Sequence, residues 1–450
     1  MVLLERSHGI EVLVSISINV MKIGIVGGGL MGLAIAYRLS KQGHSITILE
    51  RSQQLGGLAT HQNYGSFIWD RFYHVILPSD LYLINFLTEI GLGKQLCWGK
   101  TFTGYFIDRK LYSISNTLEF FRFPLVGIIG KLRLAFTLLY GSRISRWLRL
   151  EKISVERWLL RFSGRKTYEK FWKPLLLAKL GEHYKRVSAV FIWSYIKRLF
   201  SARDSSLSKE QLGYVEGGYK TVFDRLSTLI QAMGGAIQTE VSVQSISPCA
   251  SGGLWVETGD TKEHFDKVVF TGPVNVLTKV VTPGLIAVEG NCNLVEYLGV
   301  VCMVLVTRVS LVRYYVVNIA DQDIPFTGVI GMSSLVSLDQ TAGLHLTYLP
   351  KYVLSDDPWM NKTDQDVQAV FLQGLQLMFP TFSLDDIVSV HISRAAKVQP
   401  LQVIDYSSIV PTVVTANKDF WVLNTAQLVK DTLNNNAVIR HVDEFVASHF

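Results

Sequence analysis

The alternation of apolar and polar residues divides the chain into three kinds of stretch. Residues 22–26 (Lys-Ile-Gly-Ile-Val) form an apolar run of strand length, and Leu30–Gln42 repeats its apolar positions at helical spacing until Gly43 stops it. Ser45–Leu49 is a second strand, so the opening reads β–α–β. Helical periodicity dominates residues 80–205, for example over Leu81–Ile90 and from Phe123 to Arg149. Ser154 before Arg157, Trp158 and Leu159 marks a capped helix start. A later helix carries Val222, Leu226, Leu229, Ile230 and Met233 and ends at Gly234-Gly235. Strands are expected at Ala236–Ile246, Leu254–Glu257 and Lys267–Phe270. Period-two alternation then governs Val300–Thr307, Tyr314–Ile319, Gly328–Gly331 and His345–Leu349, with a helix over Asp364–Met378.

The first turn carries chemistry. Gly27, Gly29 and Gly32 have G-x-G-x-x-G spacing directly between the first strand and its helix. In such a turn the first glycine permits the bend, the second lets a diphosphate approach the backbone, and the third lets helix and strand pack. The helix start offers free N–H groups and partial positive charge to that anion, so Gly27, Gly28, Gly29, Met31 and Gly32 are expected to line it. Glu50 ends the second strand 18 residues after Gly32, where a carboxylate can accept from ribose hydroxyls.

A second glycine turn, Gly56-Gly57, follows Glu50. With this pair the chain resembles the superfamily of FAD-dependent amine oxidases, protoporphyrinogen oxidases and carotenoid desaturases. The resemblance implies FAD as cofactor, with Arg51, Gly56, Gly57 and Leu58 beside it. Gly217-Gly218-Tyr219, the following helix and Val243-Gln-Ser-Ile246 resemble the returning segment of the FAD domain, which implies that the Val243 backbone meets the adenine. Phe420–Gln427 and Thr432–Val438 resemble the closing flavin strand and helix, implying contacts from Asn424, Thr432 and Asn434; the helix is expected to begin near Asn436 as its cap. Two departures stand out. Asn424-Thr425-Ala426 replaces the Gly-Asp of most members, and Gln54 and Leu58 stand where an arginine often flanks the glycine pair, leaving Arg51 to compensate.

The implied fold class is α/β: a three-layer, Rossmann-like FAD/NAD(P)-binding domain with an inserted α+β substrate domain. The expected division is an N-terminal extension at 1–20, cofactor-domain segments at 21–79, 206–290 and 396–450, a helical substrate segment at 80–205 and a substrate-domain sheet at 291–395. Ser201–Glu210 is expected to be a linker.

At 48% hydrophobic and 18% charged residues, the 450-residue chain is a folded protein rather than a disordered one. Four scattered cysteines form no C-x-x-C, so neither a zinc site, any other metal site, nor a redox dithiol is expected, and a cytoplasmic location is the default. Lys131 and Arg133 interrupt the most apolar segment, Phe123–Tyr140, and argue against a membrane span. Residues 141–200 hold fifteen Lys/Arg against four Glu, interleaved with aromatics. This run suits a solvated helical face, peripheral contact with anionic lipid, or contact with an anionic substrate or nucleic acid; no nucleic-acid motif accompanies it.

The resemblance implies hydride removal from a C–N or C–C bond of a small, hydrophobic or amine-bearing substrate, with oxygen or a quinone as the reoxidant; the sequence names neither substrate nor acceptor. Trp69-Asp70-Arg71-Phe72-Tyr73-His74 is implied to run beside the flavin ring, making Arg71 and His74 the candidate catalytic residues and Asp70 an architectural one. Glu169–Lys179 is expected to shape the substrate cavity, and Tyr314, Tyr315, Tyr348 and Tyr352 are candidates to line it. Two alternatives remain open: a redox-neutral isomerase resembling UDP-galactopyranose mutase, with the basic run serving an anionic sugar nucleotide, and a flavin-binding partner without turnover.

Overall fold

The computed structural model describes residues 20–201, 211–259, 261–285 and 294–450, with short backbone pairings between Val2 and Ser15. The expected extension at 1–20 falls largely outside the described residues, as does the expected linker at Ser201–Glu210.

The opening forms β1 (Lys22–Val26), α1 (Leu30–Lys41) and β2 (Ser45–Leu49). β1 and β2 join a parallel sheet in the order Ala236–Gln238, β2, β1, Lys267–Phe270, Phe420–Val422. Such a sheet needs cover on both faces. On one face α1 packs with helices Leu81–Glu89, Tyr219–Ala232 and Asn435–His449, burying Leu33, Phe86, Val222 and Ile439. The other face buries Leu49, Val268 and Phe420 against a three-stranded antiparallel sheet, Val243–Pro248, Leu254–Thr258 and Lys262–Phe265. This is the expected three-layer, Rossmann-like domain. The neighbours β1 and Lys267–Phe270 run parallel and their onward connections lead to opposite sides of the sheet, so the switch of strand order lies between their C-terminal ends.

The second sheet has seven strands in the order Lys110–Ser113, Thr103–Ile107, Val316–Ile319, Gly328–Gly331, His345–Leu354, Tyr297–Thr307, Ile387–Pro400. Tyr297–Thr307 is buried along its whole length because both its neighbours pair with it and both its faces are covered. Its alternate residues Cys302, Val304 and Val306 face Tyr64, Trp69 and Tyr214. Val301, Met303 and Leu305 face Phe371 and Leu375 of helix Asp364–Met378.

Four expectations need correction. Residues 80–205 contain three strands, because Leu96–Lys100 pairs with Gln211–Val215 and Thr103–Ile107 pairs with Val316–Ile319, partners more than 100 residues away. The helical stretch from Phe123 to Arg149 is divided: Thr117–Arg122 ends before Pro124, and Ile128–Arg143 and Leu148–Glu151 follow separately. The strand expected at Ala236–Ile246 is two, with the chain crossing between sheets near Glu240, which has φ +60°. The last helix is capped by Asn434, whose Oδ1 accepts from the Ala437 N–H at 2.9 Å; Asn436 lies within the helix and accepts from the Leu83 N–H instead. Ser154 does cap its helix, accepting from the Arg157 N–H.

Candidate functional site

The two glycine turns meet at the C-terminal end of β1. Gly27 bends at φ +115°, a conformation that favours glycine. At Gly32 an added Cβ would lie 2.0 Å from the Gly27 carbonyl oxygen, so this position packs the helix on the turn. Gly29 is different: its backbone is extended, and an added Cβ would meet only the Gly57 Cα, at 3.9 Å. The space over Gly29 is therefore free of protein apart from the second turn. Gly56 donates its N–H to the Gly28 carbonyl at 2.9 Å, which docks one turn on the other.

Helix α1 begins at Gly29 with no side-chain cap and no acidic residue in its first turn. Its early N–H groups, including those of Leu30 and Met31, thus remain available to an anion. Glu50 closes one end of this cradle. Its Oε2 accepts from the Gly28 N–H at 2.7 Å and its Oε1 from the Ser52 N–H at 2.8 Å. The carboxylate keeps further lone pairs for ribose hydroxyls. Val241 donates to the Glu50 carbonyl at 2.9 Å, which sets Val243, two residues on, at the Glu50 end of the cradle.

Sequence reading missed a cationic group here. Burial, then the charges of Lys279 and Arg51, lowers the pKa of Lys397. None of the three forms an ion pair among the described residues. Lys397, which feels the charges of Lys279 and Arg51, suits a bound anion. The available signal was Lys397 itself, a lone cation in the run Ala395-Ala396-Lys397-Val398.

Asp70 is buried, and its Oδ1 accepts from the Tyr219 N–H at 2.8 Å at the start of helix Tyr219–Ala232. The Asp70 carbonyl accepts from the hydroxyls of Tyr64 and Tyr348. Its carboxyl has the architectural role expected, and burial raises its pKa to about 7. His74 Nδ1 lies 2.8 Å from the Phe72 carbonyl, which makes Nδ1 the protonated nitrogen; burial lowers the pKa to about 4. Arg71 Nε is buried with no hydrogen-bond partner, as is Asn424 Nδ2. These orphaned donors and the open space at Gly29 fit a polar cofactor lying across the crevice.

At the closing strand, Asn424 Oδ1 accepts from the Ala426 N–H, while Gln427 is engaged by the Asn424 N–H and the Pro411 and Val422 carbonyls. Thr432 and Asn434 hydrogen-bond each other at the start of the last helix. Arg51 is exposed, and Leu58 sits half-buried in the turn after Gly57.

A second group faces the Arg71–His74 segment. Tyr73 and Tyr352 share a hydrogen bond of 2.8 Å between their hydroxyls, and Lys179 Nζ lies 3.1 Å from the centre of the Tyr352 ring. Burial lowers the Lys179 pKa to about 7 and holds Tyr73 and Tyr352 protonated. The remaining basic residues of 141–200 go elsewhere. Arg186 pairs with Glu296, Arg198 with Asp80, Lys173 with Glu169 and Lys185 with Glu182, while Arg143, Arg146, Arg149 and Arg165 are exposed. Among the described residues no metal-binding cluster occurs, and no helix is long and apolar enough to cross a membrane.

Two outcomes follow from this geometry. Gly29→Val should fold yet purify without its dinucleotide, whereas Gly32→Ala should fail to fold stably; circular dichroism and absorption of the two variants distinguish these results, and cofactor retained by folded Gly29→Val contradicts the cradle. The second concerns pH. His74 titrates at about 4 folded against 6.5 unfolded, so its contribution makes stability rise between these values. Asp70 titrates at about 7 folded against 3.8 unfolded, so its contribution makes stability fall as pH rises over that window. The melting temperature of Asp70→Asn relative to wild type should therefore increase from acid to neutral pH, and that of His74→Phe should decrease. Parallel melting profiles would contradict both assignments.

Known proteins resemble this chain in family and in fold. The family model for flavin-containing amine oxidoreductases matches residues 30–398. A 4,4'-diapophytoene desaturase of Staphylococcus haemolyticus is 37% identical over 102 residues, 22% of this chain and only 20% of that relative's length. A crystal structure assigned as a protoporphyrinogen oxidase from Exiguobacterium sp. 255-15 superposes with TM-score 0.74 at 18% identity, covering 95% of this chain and 98% of the other. Reduced UDP-galactopyranose mutase does so with TM-score 0.72 at 13% identity, covering 95% and 96%. At these identities the two structures establish the fold, while the family match spans most of the chain. The chain belongs to the flavin-containing amine oxidoreductase family.

Proposed function

We propose that the chain removes a hydride from a hydrophobic or amine-bearing small molecule held between the glycine turns and the Tyr73–Tyr352–Lys179 group. The observation that carries this reading is the character of that group: protonated tyrosines, a neutral histidine and a lysine with a pKa of about 7. The nearby carboxyl of Asp70 is committed to the Tyr219 N–H. Such a wall orients a weakly polar substrate, and Lys179 is its reactive base.

Bound FAD supplies the acceptor for the two electrons. In this reading Gly29, Leu30 and Met31 hold the diphosphate through backbone N–H groups, while the Gly28 N–H stays on Glu50, and Arg51, Lys279 and Lys397 balance the diphosphate charge. Glu50 receives the adenosine ribose and the Val243 backbone meets the adenine. Asn424, through its free Nδ2, and the Thr432–Asn434 helix start hold the ribityl and pyrimidine end, where the helix favours negative charge. Arg71 Nε points a donor at the ring system. His74, its Nδ1–H engaged, offers only Nε2 as an acceptor. Lys179, partly unprotonated at neutral pH, accepts the proton that an amine nitrogen releases.

Anaerobic addition of an amine, a polyene and a porphyrinogen to the purified protein tests the proposal. One of them should bleach the long-wavelength flavin band. For an amine the rate should rise as pH passes about 7, and Lys179→Met should flatten that rise. Turnover of a nucleotide sugar only after dithionite reduction would replace the proposal with the isomerase reading. Flavin that none of these compounds reduces, with no sugar turnover, would favour a non-catalytic partner.

A further inference from the structure

Helix Ile128–Arg143 is built inside out for a surface helix in water. Its inward positions are Lys131, Leu134, Thr137 and Gly141, and Lys131 spends its ammonium on the Phe121 carbonyl. Apart from Arg133 and Arg143, its exposed positions are apolar. Ile128 is 77% exposed, Ile129 76%, Leu132 59% and Phe136 54%, with Leu139 and Tyr140 also exposed. Leu118 and Phe121 of the adjoining helix Thr117–Arg122 extend this patch. A solvated amphipathic helix places its polar face outward, and contiguous apolar surface of this kind marks an interaction site.

The charge around the patch identifies the occupant. Residues 117–150 contain a single acid, Glu119, which is bound to Ser113 and Ser115. Arg122, Arg133, Arg143, Arg146 and Arg149 in the same stretch are all exposed. A second copy of the chain would bring this arginine rim against its own like charge. A lipid leaflet with anionic headgroups matches both parts, accepting isoleucine, leucine and phenylalanine into its apolar boundary and arginine among its phosphates. Phe136 and Tyr140 stack on each other, and aromatic residues favour that interface.

We propose that the face formed by Leu118, Phe121, Ile128, Ile129, Leu132 and Phe136, rimmed by Arg143, Arg146 and Arg149, docks the protein on an anionic membrane surface. This moves the contact from the general basic run at 141–200 to the helix before it. The proposal is independent of the substrate assignment.

Co-sedimentation of the full-length flavoprotein with phosphatidylcholine vesicles, with and without phosphatidylglycerol, tests it. Wild-type protein should sediment with the anionic vesicles and much less with the neutral ones. Ile128→Glu/Ile129→Glu should lower the partition by at least about tenfold. Arg143→Gln/Arg146→Gln/Arg149→Gln should abolish the preference for phosphatidylglycerol. Both variants should keep the flavin absorption of wild type, which separates a docking defect from a folding or cofactor defect. Equal sedimentation of wild type and the isoleucine variant overturns the proposal. So does a wild-type dimer that the isoleucine variant dissociates, with no vesicle binding, since that result gives the face to a second copy.

Discussion

Two glycine turns lie against each other at backbone distance, and one carboxylate fixes the first of them to the strand that precedes the second. Glu50 reaches back to the Gly28 N–H and forward to the Ser52 N–H, while Gly56 donates to the Gly28 carbonyl. Side chains at Gly29 and Gly57 would fill the space this contact frames, because added Cβ atoms would lie 3.9 and 3.3 Å from the opposing Cα. The result is a rim of N–H groups above an uncapped helix, with a carboxylate at one end. Such a surface holds a diphosphate without reorganising, and the parallel sheet beneath supplies its rigidity.

Asp70 links this cradle to the rest of the molecule. Its carboxyl receives the first N–H of helix Tyr219–Ala232, in the cofactor layer, and its carbonyl receives the hydroxyl of Tyr348 from the seven-stranded sheet. The same short segment carries Arg71, Tyr73 and His74. The candidate reaction centre is thus anchored to both sheets, and the burial that anchors it also keeps Asp70 and His74 largely uncharged across mildly acidic pH.

The opening β–α–β unit was legible because its signals are local: apolar period, glycine spacing and a strand-ending carboxylate all fall within a few dozen residues. The three-layer fold followed from them and from the resemblance. Leu96–Lys100 and Thr103–Ile107 were not legible, since each becomes a strand by pairing with a partner more than 100 residues away. Asn434 and Asn436 are equally good caps by composition, and only the bond from Ala437 selects between them. Lys279, Lys397 and Lys179 look like ordinary cations in sequence. Tertiary packing alone puts Lys179 over the Tyr352 ring, and burial lowers the titration of Lys397 and Lys179.

The paired turns are expected to hold the diphosphate of FAD. A crystal structure of the protein with its copurified cofactor tests this most directly. Density is expected for FAD with its diphosphate over the N–H groups of Leu30 and Met31, its adenosine ribose on Glu50 and its ring system beside Arg71. A flavin bound away from Gly29 and Gly57, or a nicotinamide dinucleotide in their cradle, would contradict it.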